Sequence, residues 1–359
     1  MDTSKPKQWT KLYTEKLPIL RGFTNKLHEL VIALLEKRQI DYAQSEKRTK
    51  TVESFKEKTE KRGKSYSNPI DEITDACGIR IIAYYKEDVE AICDMIKEEF
   101  YVDDANSVDK SAILEPDRFG YLSVHFVIKL SSPRKDLPEW SSYMNILAEI
   151  QVRTVLQHAW ALIDHKLRYK STENTPRSLW RPLYCFSALF ELADREFSNL
   201  REQKALLQEA YTRGINKGEL DIDLNNDSIY SYIKKYINVD KWIKLGLDMG
   251  CKKADLSDPN LSIPRPPYFD SILGLLKLCE IHSIKELNDS LDETDKESER
   301  LMKEIIHKST ESGFTPFSVP RDLMLIKLLC KYKNKDITTI IEKTHYEPRL
   351  TGAIKEVLS

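Results

Sequence analysis

In Ile146-Leu-Ala-Glu-Ile-Gln-Val-Arg153, the side chains of Ile146, Ala148, Ile150 and Val152 fall on one side of an extended chain. Those of Glu149, Gln151 and Arg153 fall on the other. Upstream, Ser123 to Leu130 repeats the pattern, with Val124, Phe126, Ile128 and Leu130 against Ser123, His125, Val127 and Lys129. Gly78-Ile-Arg-Ile-Ile-Ala-Tyr-Tyr85 is β-branched and aromatic, a further strand.

Around these strands the period changes from two to about 3.6. Residues 10–45 carry Leu17, Leu20, Phe23, Leu27, Leu30, Val31, Leu34 and Leu35 at three- and four-residue steps, which predicts one or two helices. Residues 46–68 are polar and Lys-rich and close on Asn68-Pro69. Residues 87–100 predict an amphipathic helix with Val89, Ile92, Ile96 and Phe100 inward. A helix from Thr154 to about Tyr169 is expected to bury Leu156, Trp160, Ile163 and Leu167, and another runs from about Ser178 to Ala210. The order helix, strand, helix, strand, strand, helix, helix predicts an α+β domain, a small mixed β-sheet flanked by helices. From 211 to 359 the signals are mainly helical, with breaks at Gly246–Gly250, Pro264–Pro267 and Gly313–Pro320. A division into 1–210 and 211–359 follows.

The 359 residues are 41% hydrophobic and 31% charged, enough for a buried core and a well-hydrated surface. No apolar run approaches the roughly 18 residues that span a bilayer, and no apolar signal core follows Met1, so a cytoplasmic location without a membrane partner is the expectation. Six scattered cysteines without a C-x-x-C pair argue against a disulfide framework, and Cys251, Cys279 and His282 are the remote option for a metal. The net charge of −1 conceals +7 in residues 1–70 and −8 in the remainder. A basic segment suits a polyanion such as a nucleotide or RNA, and equally a solvated helical face.

The polar strand faces carry the chemistry. Charged groups on an inner strand are costly without partners, and two carboxylates brought together repel. A divalent cation removes that penalty, so Asp75, just before the first strand, and Glu149 form a candidate Mg²⁺ pair completed by substrate phosphates. The rival reading is a structural ion pair, such as Glu149 with an arginine. In Asp117-Arg-Phe-Gly-Tyr-Leu-Ser-Val-His125, Gly120 permits close approach of a ligand and Tyr121 offers an aromatic face for a base.

Together, Asp75-Ala-Cys-Gly-Ile-Arg-Ile-Ile82, Gly120-Tyr-Leu-Ser-Val-His125, Glu149-Ile-Gln-Val-Arg-Thr154, Ala159-Trp160 and Asp164-His165 resemble the synthetase domain of the RelA/SpoT homologue family over residues 25–205. Arg48-Thr-Lys-Thr-Val-Glu-Ser54 with Lys58 resembles its ATP-binding segment. The resemblance implies a nucleotidyltransferase-like sheet and a Mg²⁺-dependent transfer of the β,γ-pyrophosphate of ATP to a ribose 3′-hydroxyl. It implies that Asp75 and Glu149 bind Mg²⁺. Arg48, Lys50, Ser54, Lys58 and Arg80 would hold ATP, and Arg118, Tyr121, Ser123, His125, Gln151 and Arg153 would hold the acceptor. By the same resemblance that acceptor would be GDP or GTP, giving (p)ppGpp.

One departure points elsewhere: Leu122 follows Tyr121 where the family usually carries Arg. Toxic branches of the family pyrophosphorylate the 3′ end of tRNA, some held in check or triggered through a C-terminal region and active in phage defence. A tRNA acceptor, with restraint or a protein trigger through 211–359, is the alternative reading. No His-Asp dipeptide occurs, so the family's hydrolase activity is not expected.

Overall fold

The computed structural model describes residues 4–60, 66–109, 123–168, 177–237, 239–250, 273–274, 276–277, 279–291 and 295–311. The chain divides into two compact units, Met1–Arg201 and Glu202–Ser359. The division falls inside a continuous helix, not in a linker.

The first unit is built on six strands: β1 (Gln44–Thr49), β2 (Cys77–Ala83), β3 (Phe100–Val102), β4 (Val108–Asp109), β5 (Val124–Leu130) and β6 (Ala148–Thr154). Their order is β1-β2-β6-β5-β3, with β4 also on β5. Only β2 and β6 run parallel, so the sheet is mixed. The short α3 (Pro69–Glu72) leads into β2, and the parallel pair follows from a crossover through α4 (Lys86–Glu99), since parallel neighbours cannot be joined by a tight turn.

One face of the sheet is the core. Ile79 and Ile81 of β2, Ile150 and Val152 of β6, and Phe126 and Ile128 of β5 pack under α1 (Ser4–Lys37) and α4. From α1 come Leu20, Phe23, Leu27, Val31 and Leu35; from α4 come Ile92, Met95 and Ile96. Each such side chain contributes about 1.5–3 kcal/mol by leaving water. Cys77 fills this layer as a small buried side chain whose thiol donates to the Leu20 carbonyl at 3.5 Å. Burial pushes that thiol up to about 11.

Two helices anchor the site from the flanks. Tyr13 of α1 stacks on Phe55 of α2 (Val52–Glu60) at 4.0 Å, and its hydroxyl donates to the Lys50 carbonyl at 2.8 Å. That fixes the exit of β1. Beyond β6 come α5 (Val155–Arg168) and the long α6 (Arg177–Lys217). The Thr154 hydroxyl donates to Asp194 at 2.7 Å, and Arg201 pairs with Asp88 at 2.6 Å while lying over the Tyr85 ring.

Three expectations need correction. Residues 10–45 and 46–68 conceal a strand: α1 ends at Lys37, and Gln44-Ser-Glu-Lys-Arg-Thr49 is an edge strand too polar to show an alternating signal. The stripe on α5 holds only in part, since Trp160 is buried but Ile163 and Leu167 are about half exposed. Phe100 is buried from β3, not from the preceding helix.

The second unit is helical where it is described. It comprises α7 (Asn226–Tyr236), α8 (Val239–Asp248), α9 (Ile284–Leu291) and α10 (Asp295–Glu311). Asn225 caps α7 in a reciprocal capping box with Ser228. Ile229, Ile233, Trp242, Ile284, Leu287, Met302 and Ile305 are buried. The expected break at Gly246–Gly250 is present, with Gly250 at φ +85° after the end of α8. The breaks at Pro264–Pro267 and Gly313–Pro320 lie outside the described residues, as does Cys251 of the remote metal option.

Candidate active site

The other face of the same sheet is polar, and strand register assembles it. Glu46 lies opposite Arg80, Arg80 beside Gln151, and Gln151 opposite His125, one residue from each of four strands. The next row is Arg48, Gly78, Glu149 and Val127. The antiparallel β1–β2 pair also brings the residue after β1, Lys50, to the residues before β2, and its backbone N–H donates to the Ala76 carbonyl at 2.9 Å. Asp75 is therefore beside Lys50 without being in any strand.

A cleft forms there, lined by Glu46, Lys47, Arg48, Lys50, Asp75, Gly78, Ile79, Arg80, Glu149 and Gln151. Of the sequence-derived site, it unites Arg48, Lys50, Asp75, Arg80, Glu149 and Gln151. Gly78 sits in register between Arg48 and Glu149, so no side chain rises from the strand between them. Ser123 and His125 border a second hollow that lies mainly along α4, with Lys86, Val89, Cys93, Val124 and Phe126. Glu149 lines the first and His125 the second, and the two side chains touch at 2.7 Å.

The two carboxylates are compensated differently. Asp75 accepts from Lys50 at 2.8 Å through one oxygen and from Lys58 of α2 at 2.7 Å through the other. Burial raises its carboxyl, but the two ammonium groups outweigh that and hold it below the ordinary carboxylate value. Glu149 takes its two hydrogen bonds from His125 Nδ1 and Gln151 Nε2, both at 2.7 Å. Burial again raises it, those bonds more than offset the rise, and Asp75 nearby opposes them; the net effect is downward. Of the rival reading as structural ion pairs, both carboxylates do have such partners, lysines on Asp75 and His125 on Glu149, but among the described residues no arginine pairs with Glu149. The arginines bind elsewhere: Arg80 to Glu46 at 2.8 Å, and Arg153 to Gln151 Oε1 at 2.6 Å.

Lys58 joins through Asp75, and Arg153 is buried behind Gln151 without lining either hollow. Ser54 does not line the cleft; its hydroxyl bonds that of Thr51 at 3.2 Å. Arg118 and Tyr121 lie outside the described residues. Glu46 and Lys47 were missed, because they belong to the edge strand that the sequence hides. His158 of α5 is a further neighbour: burial first, then the charges of Arg153 and Arg80, hold its imidazole below the usual value.

A hard divalent cation fits this donor set. Among the described residues no three His, Cys, Asp or Glu side chains cluster as a metal cage. Two carboxylates in one cleft are nonetheless what Mg²⁺ takes when substrate phosphates supply the remaining oxygens.

The charged face of this mixed sheet thus sets two carboxylates among lysines and arginines, an arrangement suited to phosphate groups. Residues 47–174 match the region found in RelA / SpoT proteins. Over 171 residues the chain is 30% identical to the GTP pyrophosphokinase YjbM of Bacillus subtilis (strain 168), covering 46% of this chain and 75% of that protein. Over 159 residues it is 26% identical to the GTP pyrophosphokinase YwaC of the same organism, covering 44% of this chain and 72% of that one. The crystal structure of the small alarmone synthetase 1 from Bacillus subtilis superposes with a TM-score of 0.46 at 26% identity, over 54% of this chain and 97% of that one. The chain belongs to the RelA/SpoT family. Among the described residues no helix is long and apolar enough to cross a membrane.

Proposed function

We propose that the first unit is an ATP-dependent pyrophosphotransferase that delivers the β,γ-pyrophosphate of ATP to the ribose 3′-hydroxyl of GDP or GTP. The observation that carries this reading is the cleft itself, in which Asp75 and Glu149 stand among Arg48, Lys50 and Arg80. Two relatives bearing the name GTP pyrophosphokinase support the acceptor.

In this mechanism Lys50 and Lys58 leave Asp75 and move to the triphosphate. Arg48 and Arg80 flank the adenine, where planar guanidinium groups stack well. Asp75 and Glu149 would hold Mg²⁺, which would neutralise charge on the phosphates. Glu149 takes the proton of the acceptor hydroxyl as its oxygen attacks the β-phosphorus. The new O–P bond forms as the bond from the β-phosphorus to the α,β-bridging oxygen breaks, and AMP leaves with that oxygen. Positioning and charge neutralisation supply most of the rate in such transfers.

A second reading, transfer to the 3′ end of tRNA, is favoured by Leu122, which removes a cation that would serve the phosphates of a guanosine nucleotide. Incubation with γ-labelled ATP and competing acceptors tests both. Label on GDP or GTP is the expected result; label on deacylated tRNA alone replaces the acceptor, and no transfer to either overturns the proposal. Truncation after residue 210, compared with the full chain for growth on induction, tests restraint by the C-terminal region.

A further inference from the structure

Glu149 is held on one side only. His125 Nδ1 and Gln151 Nε2 both donate to its Oε1, each at 2.7 Å, and among the described residues no donor is bonded to Oε2. An ionised carboxylate has no proton to give, so Nδ1 of His125 carries the hydrogen. The other ring nitrogen, Nε2, is bonded to the Ser123 hydroxyl at 2.9 Å. Ser123 is itself 2% exposed, so its hydroxyl has little water to turn to. The Gln151 amide is oriented too, because its Oε1 accepts from Arg153 Nη2 at 2.6 Å and from Arg80 Nε at 3.4 Å. The chain Ser123–His125–Glu149–Gln151–Arg153 thus fixes both the rotamer of Glu149 and which of its oxygens is engaged.

We infer that His125, with Gln151 beside it, is a positioning residue that presents Oε2 of Glu149 to the cation, and not a contact for the acceptor. The inference rests on the proposal that Asp75 and Glu149 hold Mg²⁺. Side chains that orient a metal-binding carboxylate commonly change metal affinity about 10- to 100-fold when removed. A group that only lines the acceptor pocket changes the acceptor's KM and leaves metal binding alone.

Mn²⁺ titrated by calorimetry into the full-length protein, with a non-hydrolysable ATP analogue present, separates these roles without turnover. His125→Ala is expected to weaken Mn²⁺ by about tenfold or more. His125→Asn, whose amide nitrogen stands near the place of Nδ1, is expected to recover most of that loss. Ser123→Ala keeps the ring and removes only its far anchor, so it should weaken Mn²⁺ by a few-fold; it carries the test if His125→Ala fails to fold. In turnover, kcat should fall while the acceptor KM stays within about threefold, since uniform binding is untouched. Unchanged Mn²⁺ affinity in His125→Ala with a raised acceptor KM overturns the inference, provided that Glu149→Gln weakens Mn²⁺. If Glu149→Gln leaves Mn²⁺ binding intact, the metal pair itself is wrong and the positioning role goes with it.

Discussion

The two faces of one sheet solve opposite problems with the same strands. On the inner face, Ile79, Ile81, Ile150 and Val152 are 2% exposed or less and have no polar atom to satisfy. On the outer face, their neighbours Arg80, Glu149 and Gln151 each need a partner and obtain one through strand register, not through burial. Stability resides on the first face and chemistry on the second. The difference teaches that the polar face is kept charged at a cost the apolar face offsets, because a charged group held in a half-buried cleft responds strongly to a ligand.

The contrast can be broken most sharply at Glu149. Glu149→Gln is expected to lower pyrophosphate transfer by about 10²–10³-fold or more, with the thermal midpoint unchanged or slightly lowered, since the bonds that His125 and Gln151 donate to a carboxylate are weakened. Steady-state rates and a melting curve check it, and a stable variant with full turnover erases the functional half of the comparison. The converse lies one residue away. Ile150→Ala should cost about 2–5 kcal/mol of stability, read from the denaturant midpoint, while transfer per folded molecule stays near that of the parent.

The faces should also part company with pH. Cys77 is raised to about 11 and Tyr13 to about 12, both on the apolar side. Their contribution is fully present below the unfolded values near 9 and 10 and is lost as pH climbs towards 11–12. For Cys77 that amounts to roughly 2–3 kcal/mol. Asp75 and Glu149 are lowered, so theirs is present above the ordinary carboxylate value and is lost as pH falls below it. Unfolding midpoints across pH, with Cys77→Ala flattening only the alkaline limb, sharpen the comparison. The smallest effect is expected at Glu46→Gln. Losing the half-exposed pair with Arg80 should raise the KM for ATP by up to about fivefold, with kcat and stability unchanged.

Alternating strands were legible where one face is apolar. β5 and β6 stood out because Val124, Phe126 and Ile128, and Ala148, Ile150 and Val152, must be buried together. β1 did not, because an edge strand on a polar face has no apolar period, and with it Glu46 and Lys47 were lost. Ile163 and Leu167 misled for the opposite reason: helical period declares an apolar stripe but not whether anything lies against it. Half of each is exposed along α5. Asp75 and Glu149 were found as a pair, while their partners were not. Lysines on Asp75, and two donors on one oxygen of Glu149, depend on rotamers that spacing does not encode.

The amino-acid order alone settled the α+β frame and the segregation of charge to one side of each strand, and by resemblance it indicated the family, since all of these rest on local period and motif. Only the packed molecule decided which charges meet. Residues 46, 80, 151 and 125 come from four separate stretches of chain, and they become neighbours through hydrogen-bonded register, a property of paired backbones that no single stretch contains.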